Sequence, residues 1–302
     1  MTDFGIQGTP GEVSSSGWLA FMRETCDPLP DVFSTIWISD HLQHQGAPLL
    51  EGWTRLTYLA ATMPRYRYGH MVLSQSYRNP GLLGVMAATL QRLTGGRFIL
   101  GLGAGWLEDE YRAFNYDFPR PGVRVEQLAE TIQLVKALWR ESPATFEGTW
   151  YRITEALCEQ PDPPIPVLVG TNGPRALKVV ARHADWWNWD GPWEPTYRGP
   201  YEALRSACEE VGRPFDEITL TATLAVSLPD DPAAFSPGYE HEFYPGQVFG
   251  IVGPTAGDVI REIELLVDLG VSHIPLAFDN TAELRRFVDE VVPHVRLERR
   301  PT

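Results

Sequence analysis

The chain has 302 residues, 43% of them hydrophobic, with 39 acidic against 25 basic side chains and a formal net charge of −14. That length supports a sizeable core, and so acidic a surface repels phosphate backbones and anionic lipid, so neither nucleic acid nor membrane is an expected partner. The three cysteines, Cys26, Cys158 and Cys208, are far apart and form no CxxC, which argues against a disulfide framework or a zinc site and fits a reducing cytoplasm. The opening MTDFGIQGTPGEV has neither the basic nor the apolar region of a signal peptide, and no apolar run approaches the roughly 20 residues that span a bilayer.

In chain order, short β-like runs alternate with helical periods. Phe4–Gln7 is the first expected strand, followed by a helix over Gly17–Thr25. Ser34–Ser39 (STIWIS), rich in β-branched and aromatic residues, is the second. Glu51–Thr62 is helical, with Trp53, Leu56, Leu59 and Ala60 on one face. Met71–Ser74 is the third strand, and Asn79–Leu93 a helix with Pro80 in its first turn. Phe98–Leu102 is the fourth strand. Helices follow at Leu107–Asn115 and Val123–Trp139, the latter with acids early and bases late, as a helix dipole favours. Phe146–Ile153 reads as a hairpin around Glu147-Gly148. Val167–Val169 is the fifth strand and Pro174–His183 its helix; Asp185–Asn188 is the sixth, with a helix over Tyr201–Val211. Ile218–Ser227 is the seventh, and a loop rich in Pro, Gly and aromatics runs from 228 to about 253. Helix Thr255–Leu269, strand Ser272–Ala277 and helix Ala282–Val291 complete the series.

Eight strands, each followed by a helix, predict a single α/β domain over 1–302, a (β/α)8 TIM barrel with an insertion after strand seven. An open doubly wound sheet is the rival. A long loop at 228–253 would lie on the active-site face, where such loops often act as lids.

Glycines after strand four raise a dinucleotide question. The spacing G-x-G-x-x-G fails in both registers, because its third glycine would be Trp106 or Glu108. Glu108, Asp109 and Glu110 also open the next helix, where a pyrophosphate needs positive potential. Gly103 and Gly105 are therefore expected to let a flat, uncharged group lie against the backbone, the alternative being a turn with no ligand. Gly170-Thr171-Asn172-Gly173-Pro174-Arg175 leaves strand five differently: amides open a helix beside Arg175, a phosphate site or else a plain Asn-Gly turn. Asp40 and His41 end strand two, where barrel residues face the active site. His41 can donate a hydrogen bond or a proton near neutral pH, or simply cap a loop. Ser74 and Gln75 bring hydroxyl and amide groups to the same face. Trp186, Trp187, Trp189 and Trp193 either line an aromatic pocket or pack the core. No metal spacing such as HExxH is present around His41 and His44.

Taken in order, Asp40-His41, YRNPGLLGVMAATLQRLTGGRFILGLGAGW (77–106), FEGTWY (146–151), PIPVLVGTNGPRAL (164–177) and HADWWN (183–188) resemble the bacterial luciferase-like superfamily, in particular its deazaflavin (coenzyme F420)-dependent oxidoreductases. The resemblance implies a flavin-like ring at the C-terminal face of the barrel. It places Asp40 and His41 beside the ring, with His41 as proton donor or substrate anchor. It places Met71-Val72 in a bulge with a non-prolyl cis peptide behind the ring, Ala104, Gly105 and Trp106 in a ring-contacting turn, and Gly170, Thr171, Asn172 and Gly173 around the cofactor phosphate. Hydride transfer at the deazaflavin C5 is the implied chemistry. The sugar-phosphate dehydrogenases of the family carry an acid where Trp106 stands and a tryptophan near Gln45. Trp106, with Phe235, Tyr239, Phe243 and Tyr244, points instead to an apolar substrate. An FMN-dependent monooxygenase fed by a partner reductase, and a barrel that binds flavin without turnover, are the alternatives. Family members are often dimers, so a homodimer is expected.

Overall fold

A computed structural model describes residues 3–7, 15–26, 29, 31–44, 47–240 and 248–295. The fold is a (β/α)8 barrel. Its strands are β1 (Asp3–Gln7), β2 (Phe33–Ile38), β3 (Arg67–His70), β4 (Phe98–Gly103), β5 (Val167–Gly170), β6 (Trp186–Asp190), β7 (Thr219–Val226) and β8 (Val271–Phe278). They pair in sequence order from β1 to β8, β8 returns to β1, and the β1–β2, β4–β5 and β1–β8 ladders are parallel. The chain divides into two compact units, one of residues 1–37, 188–205 and 219–302, the other of 38–187 and 206–218.

In the second unit, β4 and β5 are buried along nearly their whole length. Parallel strands covered on both faces read as continuous apolar runs, which is why FILGLG and VLVG stand out in the sequence. The helices start where cap chemistry dictates. Glu51 caps the helix Gly52–Thr62, its carboxylate accepting from the Trp53 and Thr54 amides at 2.9 and 2.7 Å. Asn79 caps the helix Pro80–Leu93, with proline in its first turn. A short helix, Glu108–Ala113, follows β4. The long helix Pro121–Arg140 presents Leu128, Ile132, Val135 and Leu138 to the interior. A hairpin of Ala144–Glu147 and Arg152–Ala156 is fixed to that helix, because Glu130 accepts the amides of Thr149 (2.7 Å), Trp150 (2.7 Å) and Tyr151 (3.2 Å). Pro174–His183 has the bounds that its sequence predicts.

The expected third strand, Met71–Ser74, is corrected. The main piece is Arg67–His70, and pairing resumes only at Leu73–Ser74. Gly69 pairs with Ile99 and Leu73 with Leu102, four steps on one strand against three on the other. One extra residue is therefore accommodated at Met71-Val72, a bulge whose peptide bond is cis. The apolar pattern of MVLS marks the bulge and its exit, so it misplaces the strand.

In the first unit, Phe4, Phe33, Ile36, Leu224, Ile263, Ile274, Leu276 and Phe287 are buried. A polar chain runs through it: Trp37 donates to His273 Nε2 at 2.9 Å, His273 Nδ1 meets Asp3, and Ser34 donates to Asp3 at 2.7 Å. After β7, residues 228–253 hold a 3-10 turn at Pro232–Ala234 and strand Gly238–Glu240, antiparallel to Val248–Val252. The second of these strands pairs in parallel with β7. Phe243, Tyr244, Gln45 and the side chains of Tyr239 and His44 lie outside the described residues.

Candidate active site

The expected site residues lie within the second unit, at the C-terminal ends of β2 to β5. Asp40 follows β2 and is buried. Its carboxylate accepts both terminal nitrogens of Arg78 at 2.8 Å and the Ser74 amide at 3.0 Å. Burial pushes this carboxyl above its ordinary value, against the pull of Arg78 and the Ser74 N–H. Arg78 also pairs with Glu51. Burial alone would raise Glu51, but the Thr54 and Trp53 donors and Arg78 bring it down to about 2. Asp40 thus ties the end of β2 to the exit of the β3 bulge and, through Arg78, to the start of the helix Gly52–Thr62.

His41, next in the chain, has a partner that sequence reasoning missed. Its Nδ1 lies 2.8 Å from Glu110 Oε2. Glu110 Oε1 accepts the amides of Leu42 (2.6 Å) and Gln43 (3.0 Å), and the Tyr77 hydroxyl donates to Oε2 at 3.3 Å. Burial alone would raise Glu110. His41 and the Gln43 and Leu42 amides more than offset this and hold it below the ordinary carboxylate value. The Tyr77 phenol, half-buried beside this carboxylate, is pushed far up by desolvation and by the charge of Glu110. Glu108 and Asp109 were grouped with Glu110 as acids opposing a pyrophosphate, but the helical period separates them. Leu107, Glu110 and Tyr111 share the buried face, whereas Glu108 and Asp109 face out. That i, i+3, i+4 spacing was the available signal.

The Trp106 ring stands edge-on to the His41 ring, centroids 5.3 Å apart at 80°. Ala104 precedes it in the same turn. Gly105 has φ +76°, and a Cβ there would strike the Tyr111 hydroxyl, itself 2.5 Å from Ser74 Oγ. Gly103 faces Val72, whose Cγ2 lies 2.6 Å from the place of its missing Cβ, and Gly170 faces the same valine at 3.0 Å. Access for a flat ring was the expected reason for Gly103 and Gly105. The structure gives each glycine a protein neighbour, and the valine of the Met71-Val72 bulge packs on both β4 and β5.

The loop Gly170–Gly173 leads into the helix Pro174–His183. Gly173 is its N-cap, no side chain caps it, and a Cβ at Gly173 would meet nothing within 4 Å. Open amides at a helix start suit an anion. Thr171 is held from behind, since the indole of Trp187 donates to its carbonyl at 2.8 Å. Trp187 is wholly buried, and Trp186 lies under the Arg67 guanidinium at 5.0 Å, so these two tryptophans pack rather than line a pocket. Gln75 accepts the Tyr151 hydroxyl at 3.0 Å, which links the hairpin to the residue after Ser74.

The site therefore joins a carboxylate–histidine pair, an aromatic wall and an anion-ready helix start on one set of strand ends. Comparison with known proteins agrees with the barrel fold. The chain is 34% identical to an F420-dependent glucose-6-phosphate dehydrogenase of Kineococcus radiotolerans, over 66% of this chain and 61% of that protein. It is 33% identical to the enzyme of the same description from Nakamurella multipartita, over 66% and 60%. It thus spans about three fifths of the length of these curated relatives. An F420-dependent secondary alcohol dehydrogenase in complex with an F420-acetone adduct superimposes with a TM-score of 0.81 at 18% identity, covering 98% of this chain and 99% of the other. The coenzyme F420-dependent tetrahydromethanopterin reductase of Methanopyrus kandleri gives 0.77 at 19% identity, again over 98% and 99%. At such identities the superpositions establish the fold alone. Residues 32–273 match the family model for luciferase-like monooxygenases, and the chain belongs to that family.

Proposed function

We propose that this chain is a deazaflavin (coenzyme F420)-dependent oxidoreductase that moves a hydride between the cofactor C5 and a small, apolar organic substrate. The observation that carries the proposal is the His41–Glu110 pair standing beside Trp106 at the strand ends. The names of the relatives support the choice of cofactor. The residues present also fit such a group: the uncapped start of the helix Pro174–His183, with open space at Gly173, suits its phosphate. Gly170, Thr171, Asn172 and Gly173 would hold that phosphate. Met71, Val72, Ser74, Ala104, Gly105 and Trp106 would frame the ring, with Asp40 fixing Ser74 from behind.

The deazaflavin, when bound, supplies the hydride acceptor or donor at C5. The protein's own part is proton handling and orientation. Glu110 holds His41 by Nδ1, so Nε2 is the nitrogen that would exchange a proton with the substrate. Trp106 gives the substrate side an apolar, aromatic surface where the sugar-phosphate branch carries an acid, which disfavours glucose 6-phosphate.

The test is a fluorescence titration of the purified protein with oxidised F420 and with FMN, followed by a turnover panel with the bound cofactor. Saturable F420 binding, with turnover of apolar alcohols or ketones in preference to glucose 6-phosphate, is expected. FMN binding without F420 binding would overturn the cofactor, and efficient glucose 6-phosphate oxidation would overturn the substrate class.

A further inference from the structure

The hydrogen-bond pattern around Glu110 goes beyond holding the histidine in place. An ionised carboxylate only accepts. Oxygen Oε1 takes the Leu42 and Gln43 amides at 2.6 and 3.0 Å, and Oε2 faces His41 Nδ1 at 2.8 Å and the Tyr77 hydroxyl at 3.3 Å. Glu110 is 1% exposed, so water is not available to substitute for these partners. We infer that Glu110 is the positioning residue that sets the tautomer of His41: the proton of the neutral ring sits on Nδ1, and Nε2 carries the lone pair.

The same geometry makes Glu110→Gln an inversion rather than a conservative change. Two backbone N–H groups converge on the Oε1 position, and neither can turn away without moving the 41–43 turn. A glutamine amide must keep its oxygen there, since its NH2 would oppose two donors. Its NH2 then occupies the Oε2 position and donates to His41 Nδ1. That nitrogen becomes an acceptor, and the ring proton moves to Nε2. Tyr77 adapts freely, because its hydroxyl both donates and accepts. The shape of the site is unchanged while the proton changes sides. A histidine held in the wrong tautomer loses orders of magnitude in rate even when its position is intact.

The assignment of the tautomer stands on the apoprotein, whereas its effect on turnover rests on the proposed oxidoreductase function. The experiment is therefore long-range proton–nitrogen NMR on the uniformly nitrogen-15-labelled protein without cofactor, well above the ordinary histidine titration range. His41→Ala identifies the His41 signals among the seven histidines. Wild type is expected to show a protonated Nδ1 and an unprotonated Nε2, and Glu110→Gln the reverse pattern. An Nε2-protonated ring in wild type overturns the inference, and that measurement decides even if Glu110→Gln does not fold. An unchanged tautomer in a folded Glu110→Gln overturns it equally. In turnover assays with F420, Glu110→Gln should lower kcat by about a hundred-fold or more with cofactor affinity retained. Absence of F420 binding by wild type would defeat the proposed function and leave the NMR result standing.

Discussion

At the scale of single residues, the missing side chains of β4 are as informative as the side chains present. The bulge at Met71-Val72 pushes Val72 towards β4 and β5, so Gly103 and Gly170 are required by the valine. Gly101 differs, because a Cβ there would strike the His70 carbonyl oxygen, a backbone atom. This separates two outcomes. Gly103→Ala should destabilise the chain by about 1–3 kcal/mol through overpacking, and Val72→Ala in the same molecule should recover most of that loss. Gly101→Ala should be at least as harmful, and Val72→Ala should not rescue it. Denaturant unfolding of the four variants measures this. Equal rescue of both glycine variants would show that the bulge moves as a unit. The sequence exposed the glycines but not their neighbour, since Val72 reads as an ordinary strand residue until the bulge is known. Glu110 was hidden differently, being 69 residues from His41 and set among two other acids.

At the scale of elements, helix starts differ in their caps, and the lack of a side-chain cap at Pro174–His183 is shared by Glu108–Ala113 and Pro121–Arg140. Gly52–Thr62 is capped by Glu51, Pro80–Leu93 by Asn79 and Ala256–Asp268 by a Thr255–Asp258 capping box. Pro174–His183 has only Gly173, in an extended conformation (φ −72°, ψ 138°) open to any residue, with empty space at its Cβ. A capping residue there would be free of strain, so the glycine is no steric requirement, and it leaves the amides open for the proposed cofactor phosphate. Gly173→Asp should therefore leave folding stability unchanged or raise it by a few tenths of a kcal/mol, while its carboxylate weakens F420 binding by about ten-fold or more, some 1.4 kcal/mol. Thermal unfolding and fluorescence titration of one protein sample test both halves. Undiminished F420 affinity would remove the phosphate from this terminus. The helix and its proline start were legible in GTNGPRAL. The Trp187 hydrogen bond that braces the loop was not, since HADWWN reads equally as pocket or core.

At the scale of the whole molecule, eight alternations of strand and helix favoured the barrel over an open sheet, because buried parallel strands are continuous apolar runs and several helices carry a cap or proline start signal. Residues brought together by barrel closure rather than by local pattern were not legible, and the same holds for the titration behaviour that burial imposes. His70, at the end of β3, is wholly buried and stacked on Trp53 at 5.2 Å and 15°. Burial, with Arg78 nearby, lowers it from 6.5 to about 3. Between those values the unfolded chain binds a proton that the native chain refuses, so stability rises with pH and is lost on acidification, by up to about 1.4 kcal/mol per pH unit. His183, also lowered mainly by burial, acts with the same sign. Glu110 and Glu51 are depressed carboxylates, so their contribution is present above the ordinary value of 4.5 and is lost only below it. The net charge of −14 pulls the other way, because protonating surface acids relieves repulsion, but that relief also waits until about pH 4. Asp40, Asp190 and Glu262, raised by burial, act with the opposite sign, since the folded chain takes up their protons more readily than the unfolded one. The share of His70 between about pH 6.5 and pH 5 is therefore read by difference against a variant that lacks the imidazole. Phenylalanine keeps the shape and the aromatic stack of His70 and has no proton to refuse. On going from about pH 7 to pH 5, wild type should lose about 2 kcal/mol more unfolding free energy than His70→Phe. Denaturant unfolding of both proteins at the two pH values gives the difference directly, and equal losses would mean that His70 takes up its proton in the folded chain as readily as in the unfolded one.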